Sequence, residues 1–193
     1  MSHTSRIQPH CAQTNPVHGR VVWAPVKSMW FVSILTVAIF AGPATFSWSA
    51  LTVCGLLTTF TLCFGHSVGL HRLLIHRSFQ CPRWLEYCMV FAGVLVEMGG
   101  PKKMLYMHDI RDWSQRQTHC QDFYIHRSSI GKDWFWNLHC ELQLDHPPDF
   151  QPEVRVRESH FYQWLDRGCW LRSLWRCCCL LSEAFHGSCG ASA

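Results

Sequence analysis

The sequence predicts an all-α, multi-pass membrane protein, with one N-terminal transmembrane hairpin followed by amphipathic helices at the membrane surface. Three observations carry this prediction. From Ser28 to His71 there are 44 consecutive residues without a Lys, Arg, Asp or Glu. Hydrophobic residues make up 48% of the chain and charged ones 16%, so the remaining segments hold all of the charge. At the far edge of the uncharged run, GHSVGLHRLLIHRSF (Gly65–Phe79) sets His66, His71 and His76 at intervals of five.

The elements follow in order. Residues 1–27 are polar and are expected to be poorly ordered. They form too long a lead for a cleavable signal peptide, and the apolar run after them is too long for an h-region. A spanning helix needs roughly 20 apolar residues, so that run holds two. The first is predicted from Ser28 to Phe40 or a little beyond, the second from about Trp48 to Gly69. Ala41-Gly42-Pro43-Ala44 supplies the turn between them. A hairpin brings Lys27 at one end and Arg72 and Arg77 at the other to the same side, which the positive-inside bias makes cytoplasmic. A buried hairpin in a soluble core is the plainer reading, and the length of the run argues against it.

Residues 83–98, RWLEYCMVFAGVLVEM, are a shorter apolar patch with Glu86 and Glu97 near its ends. That length is marginal for a span, and an amphipathic helix at the membrane surface suits it better. Gly99-Gly100-Pro101 stops it. Lys102 to Arg127 is polar and rich in His, Trp134 to Leu144 is mixed and compatible with a helix, DHPPDFQPE is a proline-rich loop, and SHFYQWLDR forms a short surface helix. The chain therefore divides into a polar segment 1–27, a membrane and histidine-bearing domain 28–166, and a tail 167–193.

A net charge of +4 without a dense Lys/Arg block argues against a nucleic-acid partner. The 12 cysteines include five crowded into the last 25 residues, none in CxxC spacing, so neither a disulfide framework nor a zinc site is expected.

Neutral imidazole is a common ligand of iron, copper and zinc. On an ideal α-helix His71 and His76 point about 140° apart, so they share a metal only if the helix loosens, or else serve two metals between helices. Interfacial histidines that tolerate a headgroup boundary are the plainer alternative. In MHDIRDWSQRQTH, a continuous helix places His108, Asp112 and His119 at about 0°, 40° and 20°, on one face. A carboxylate and two imidazoles on one face suit a redox metal. Against this stands a solvated helix patterned by Asp109, Arg111, Asp112 and Arg116.

With these residues on the page, the chain resembles the membrane fatty acyl desaturases. GHSVGLHRLLIHRSF is similar to that family's first histidine box, a glycine-rich helix end followed by HRxxxHRS/T. The resemblance extends through the 83–98 segment, Thr118-His119 and the His146-Pro147 loop to FYQWLD, roughly residues 20–166. It implies a multi-span enzyme with histidine boxes on the cytoplasmic side and a di-iron centre, to which His71, His76 and His108 contribute, with Asp112 and His119 as further ligands. It implies a fatty acyl substrate carried on CoA or on a lipid, O2, and an electron donor such as ferredoxin or cytochrome b5.

Two departures accompany the resemblance. The family's second box usually reads HRxHH, whereas His108-Asp109-Ile110-Arg111-Asp112 sets Arg111 and Asp112 at its last two positions; Asp112 can ligate iron and Arg111 cannot. No HxxHH third box occurs, and His139, His146, His160 and His186 are scattered. After Arg127 no uncharged run is long enough to span, and the Cys-rich tail reads as a truncated or frameshifted frame. The 193-residue chain is accordingly expected to be inactive by itself. An inactive desaturase fragment, or a non-catalytic metal-binding membrane protein, is the alternative reading, and a related alkane or sterol hydroxylase would use similar boxes. In carbonate extraction the protein should remain in the membrane pellet, and its release into the soluble fraction would contradict the spanning helices.

Overall fold

A computed structural model describes residues 6–9, 13–95, 99–125 and 127–168. From residue 169 on, the cysteine-rich tail lies outside the described residues. The chain is mostly helical. In order it forms β1 (Ile7–Gln8), β2 (Gly19–Trp23), α1 (Pro25–Ala41), α2 (Trp48–Phe60), a π-helix (Thr61–Ile75), α3 (Arg83–Val94) and α4 (Pro101–Gln115). There follow α5 (Asp122–Ile125), α6 (Ile130–His139), β3 (Cys140–Leu144), β4 (Asp149–Phe150), α7 (Val154–Arg157) and α8 over residues 160–168. The contacts divide the chain into two units, Met1–Ala41 with Met107–Gln151, and Gly42–Tyr106 with Pro152–Ala193.

The first unit corrects two expectations. Gly19–Trp23 lies in the segment expected to be poorly ordered, yet β2 pairs antiparallel with β3, from Gly19 opposite Leu144 to Trp23 opposite Cys140. Ile7 and Gln8 pair in the same way with Phe150 and Asp149. The fold nevertheless stays mostly helical, consistent with the all-α expectation, with these few short strands added. Val21, Val22 and Trp23 belong to the residue types that favour a pleated, half-buried surface, and CELQL alternates apolar and polar positions to match them. The helical reading of Trp134 to Leu144 holds as far as His139 and fails beyond it, because pairing with β2 claims Cys140–Leu144.

The start of α1 is tied to the end of α6. The Ala24 amide donates to the His139 carbonyl at 2.8 Å, the Lys27 ammonium donates to the Cys140 carbonyl at 3.0 Å, and Ser28 Oγ lies 2.7 Å from His139 Nδ1. Beyond Ser28 the helix buries no further residue, and Met29, Val32, Leu35, Val37, Ile39 and Phe40 are exposed. Arg6 forks onto Asp109 through two bonds of 2.6 and 2.9 Å, the planar guanidinium–carboxylate geometry that makes such pairs strong.

In the second unit, Ser47 caps α2 by accepting from the Ala50 amide at 3.1 Å. The helix then runs without a break into the π-helix. Trp48–Ile75 is one apolar rod of 28 residues, long and apolar enough to cross a membrane, whereas α1 with 17 residues is shorter than that measure. The second helix thus starts where the sequence places it and ends six residues later than Gly69.

α3 packs on the π-helix at glycine contact. A Cβ on Gly65 would overlap the Gly93 amide nitrogen and the Ala92 carbonyl carbon, and one on Gly69 would lie 2.7 Å from the Met89 carbonyl. Such close approach brings Leu70, Leu73, Leu74, Met89, Val90 and Val94 into one buried layer, each no more than 2% exposed. Small residues at the crossing are what allow this close approach of the two backbones. The expectation of a surface helix for SHFYQWLDR is also corrected. Tyr162 and Leu165 of α8 are fully buried, and Phe161 stacks on Tyr87 of α3 with ring centroids 4.1 Å apart. Asp166 of α8 accepts from the Lys102 amide at 3.1 Å, capping the first turn of α4. Pro101 at the first helical position needs no such partner.

Gly65→Val should therefore destabilise this unit by about 2 kcal/mol or more, at the upper end of overpacking costs because backbone rather than a side-chain tip must yield. Thermal unfolding in detergent reads this, and an unchanged melting temperature would contradict the close crossing.

Candidate metal centre

The site begins with a change of helical register. π-helices bond i to i+5 rather than i to i+4, and they occur frequently at functional sites. The bond itself is present at the last turn, where the His76 amide donates to the His71 carbonyl at 3.0 Å. Residues five apart then stack one turn above another, so the 140° separation of an ideal α-helix disappears. His71 Nε2 and His76 Nε2 lie 3.2 Å apart, with ring centroids at 4.5 Å and ring planes at 83°. His66 is five residues before His71 on the same helix. It is half-buried, and its Nδ1 has no hydrogen-bond partner among the described residues.

The pair fits a metal. Two nitrogens each about 2.1 Å from one ion, at angles between octahedral and tetrahedral, are separated by roughly 3.0–3.4 Å. The same spacing accommodates a single proton between two neutral imidazoles, one donating and the other accepting. A proton and a metal are thus alternative occupants of one gap. His71 is half-buried and His76 exposed, so the site has a covered side and an open side.

In the other unit, the part of α4 from Met107 onward carries the second set of predicted residues. His108 Nδ1 lies 3.4 Å from Asp112 Oδ2 one turn on, and both side chains are partly exposed. The neighbouring Asp109 is committed to Arg6. The helix ends at Gln115, so the expectation that His119 continues the face of His108 and Asp112 is corrected. Arg116 and Gln117 turn back onto carbonyls of the last helical turn, and the exposed His119 follows in a bend. There it lines a cavity of about 160 Å³ with Gln115, Cys120 and Arg127. Burial pushes the Cys120 thiol up from its ordinary range. His139 is engaged by Ser28 and Phe31.

Sequence reasoning missed a buried polar cluster beneath the histidine helix. Glu86 is 3% exposed, and its two carboxylate oxygens accept from the Tyr162 hydroxyl and, at 3.0 Å, from Arg155 Nη1. Burial, followed by the bond to Glu86, pushes the ionisation of Tyr162 far up. An acidic residue four positions into an apolar helix was the available signal, but its partners lie 69 and 76 residues away.

No protein-family profile and no solved structure matches the chain. It is similar to an sn-1 stearoyl-lipid 9-desaturase of Anabaena variabilis, 35% identical over 74% of this chain and 52% of that protein. An sn-2 palmitoyl-lipid 9-desaturase of a Nostoc strain is 32% identical, covering 71% of this chain and 48% of the relative. An acyl-CoA C20 Delta5-desaturase of Anemone leveillei is 38% identical over 71% and 44%. The chain spans about half the length of these curated relatives. Across that span it belongs to the membrane fatty acyl desaturase family.

Tyr162→Phe leaves one Glu86 oxygen without its donor in a site closed to water, and should cost about 1–3 kcal/mol. An exposed tyrosine ionises near pH 10. Because the folded value is raised above that, this contribution is complete at neutral pH and disappears only as pH rises through the elevated value. Equal stability of the variant at pH 7 would show that the bond does not hold the cluster.

Proposed function

We propose that the chain is an oxygen-dependent fatty acyl desaturase that holds iron through His71, His76 and His108, with Asp112 and His119 as further ligands of a di-iron centre. The observation that carries this is the His71–His76 pair, two imidazole nitrogens at metal-sharing distance within an HRxxxHRS motif. His108, with Asp112 one turn on, is the third imidazole of this reading. What iron supplies when bound is the oxidising power, drawn from O2 and two electrons, that an unactivated methylene demands.

The chain's own residues have simpler tasks. His71 and His76 present their imidazole nitrogens at the end of an apolar rod, where an alkyl chain in the bilayer can reach them. Buried Leu70, Leu73, Leu74 and Ile75 keep water from the inner side of that turn. We assign α1 and Trp48–Ile75 to a membrane hairpin, with Lys27 and Arg72 on the cytoplasmic face, and the protein to the membrane as a multi-pass enzyme. The exposed apolar side chains of α1 support this, since lipid rather than water suits them. The substrate is an acyl chain on a lipid or on CoA, both of which occur in the names of the relatives, and the electron donor is a ferredoxin or cytochrome b5.

A second reading, a desaturase-derived chain that holds metal without turnover, is favoured by Arg111, a cation at a position where the family's second box carries a ligand. One experiment separates the two. Membranes bearing the protein are given a saturated acyl lipid, a reductase and ferredoxin, and both iron per polypeptide and unsaturated product are measured. Turnover, against the inactivity expected of the 193-residue chain by itself, predicts product above the empty-vector level, lost together with the iron in His71→Ala and His76→Ala and largely kept in His66→Ala. Iron without product selects the second reading. Iron retained at the wild-type level in His71→Ala overturns the site.

A further inference from the structure

We propose that Arg77, Glu153, Arg155, Glu86 and Tyr162 form a single relay that positions the His76 imidazole, with Arg77 as the positioning residue of the histidine pair. The proposal deepens the metal reading above and rests on it. Arg77 directly follows His76 and is the one non-glycine residue with a positive φ, 51°, among the described residues. Helices commonly end on such a left-handed residue, usually glycine, followed by an amide that reaches back to a carbonyl of the last turn. Here the Ser78 amide donates to the Arg72 carbonyl at 2.9 Å, one residue wider than in an α-helix, as the π register requires. An arginine in this conformation carries a steric cost that glycine avoids. A cap alone does not explain the side chain.

The side chain is held. Arg77 Nη2 is paired with Glu153, whose other oxygen lies 3.9 Å from Arg155 Nε. Arg155 bonds the buried Glu86 at 3.0 Å, and Glu86 receives the Tyr162 hydroxyl. The chain of contacts thus runs from the residue after His76 through α7 to the interior of α3 and α8, entirely within one unit. Its inner end is costly, because a buried carboxylate gives up hydration that pairing only partly returns. Such a network contributes little net stability but fixes one geometry. The geometry it fixes at its outer end is the backbone turn that sets His76 against His71.

The test uses the 193-residue chain in detergent, with Co(II) alone as the probe and its visible absorption as the readout. Arg77→Gly keeps and even relaxes the left-handed turn while removing the guanidinium. It should weaken Co(II) binding about tenfold or more, comparable to the loss of groups that orient a metal ligand, and alter the ligand-field bands. Glu153→Gln and Glu86→Gln should act in the same direction, and Arg77→Lys should recover part of the loss. A purely structural role predicts lower thermal stability with wild-type cobalt affinity and spectrum. That result in Arg77→Gly and Glu153→Gln overturns the relay. Failure of the wild-type chain to bind cobalt sinks the metal reading instead. The relay is then read in the metal-free protein as the rate at which diethyl pyrocarbonate modifies His76, expected to be severalfold faster in Arg77→Gly and Glu153→Gln and overturned by equal rates.

Discussion

The i to i+5 hydrogen bond is the constraint on which the rest depends. It turns the end of an apolar rod from a helix whose histidines diverge into one whose histidines stack, and the same register widens the cap that follows. A π turn is rarer and weaker as local structure than an α turn, and helices in folded proteins owe most of their stability to packing in any case. Its persistence over Thr61–Ile75 therefore needs support from outside the helix. Glycine contact with α3 provides that support. Gly65 and Gly69 lie against Ala92, Gly93 and Met89 closely enough that a methyl group at either glycine would displace backbone.

Much of this was legible in the sequence. The uncharged run, the Gly-Pro break and the motif at Gly65–Phe79 located α1, the long second helix and the histidine pair. The five-residue recurrence of His66, His71 and His76 already matched the π period, but an α-helical template read it as two rings pointing apart. Cys140–Leu144 was misread because its pairing partner lies over a hundred residues away, in a segment that looked merely polar. The salt bridge from Arg6 to Asp109 and the burial of Glu86 against Tyr162 escaped for the same reason. Long-range pairing of charges leaves no periodic trace. His119 was placed on a helical face by assuming continuity, and the helix ended first.

The two halves of the candidate site differ in how firmly their surroundings hold them. His71 and His76 sit on a turn bounded by buried leucines on one side and by an ion pair on the other. His108 lies on α4 beside Asp112, which is itself partly exposed, and beside Asp109, which is taken by Arg6. This contrast fits the departures from the family pattern. Gly65–Phe79 keeps the wording of the first-box pattern it resembles, and here it is packed closely through Gly65 and Gly69. In the second cluster, Arg111 and Asp112 stand where the pattern it resembles reads histidine, and the neighbouring Asp109 is paired with Arg6.

The central claim is that the π register brings His71 and His76 to one metal. X-ray absorption of the cobalt-loaded chain tests it most directly, because imidazole gives a distinctive outer-shell scattering pattern. The account predicts at least two imidazoles at about 2.1 Å from the ion, with one fewer in His71→Ala and one fewer in His76→Ala. An imidazole count unchanged by either substitution would contradict it.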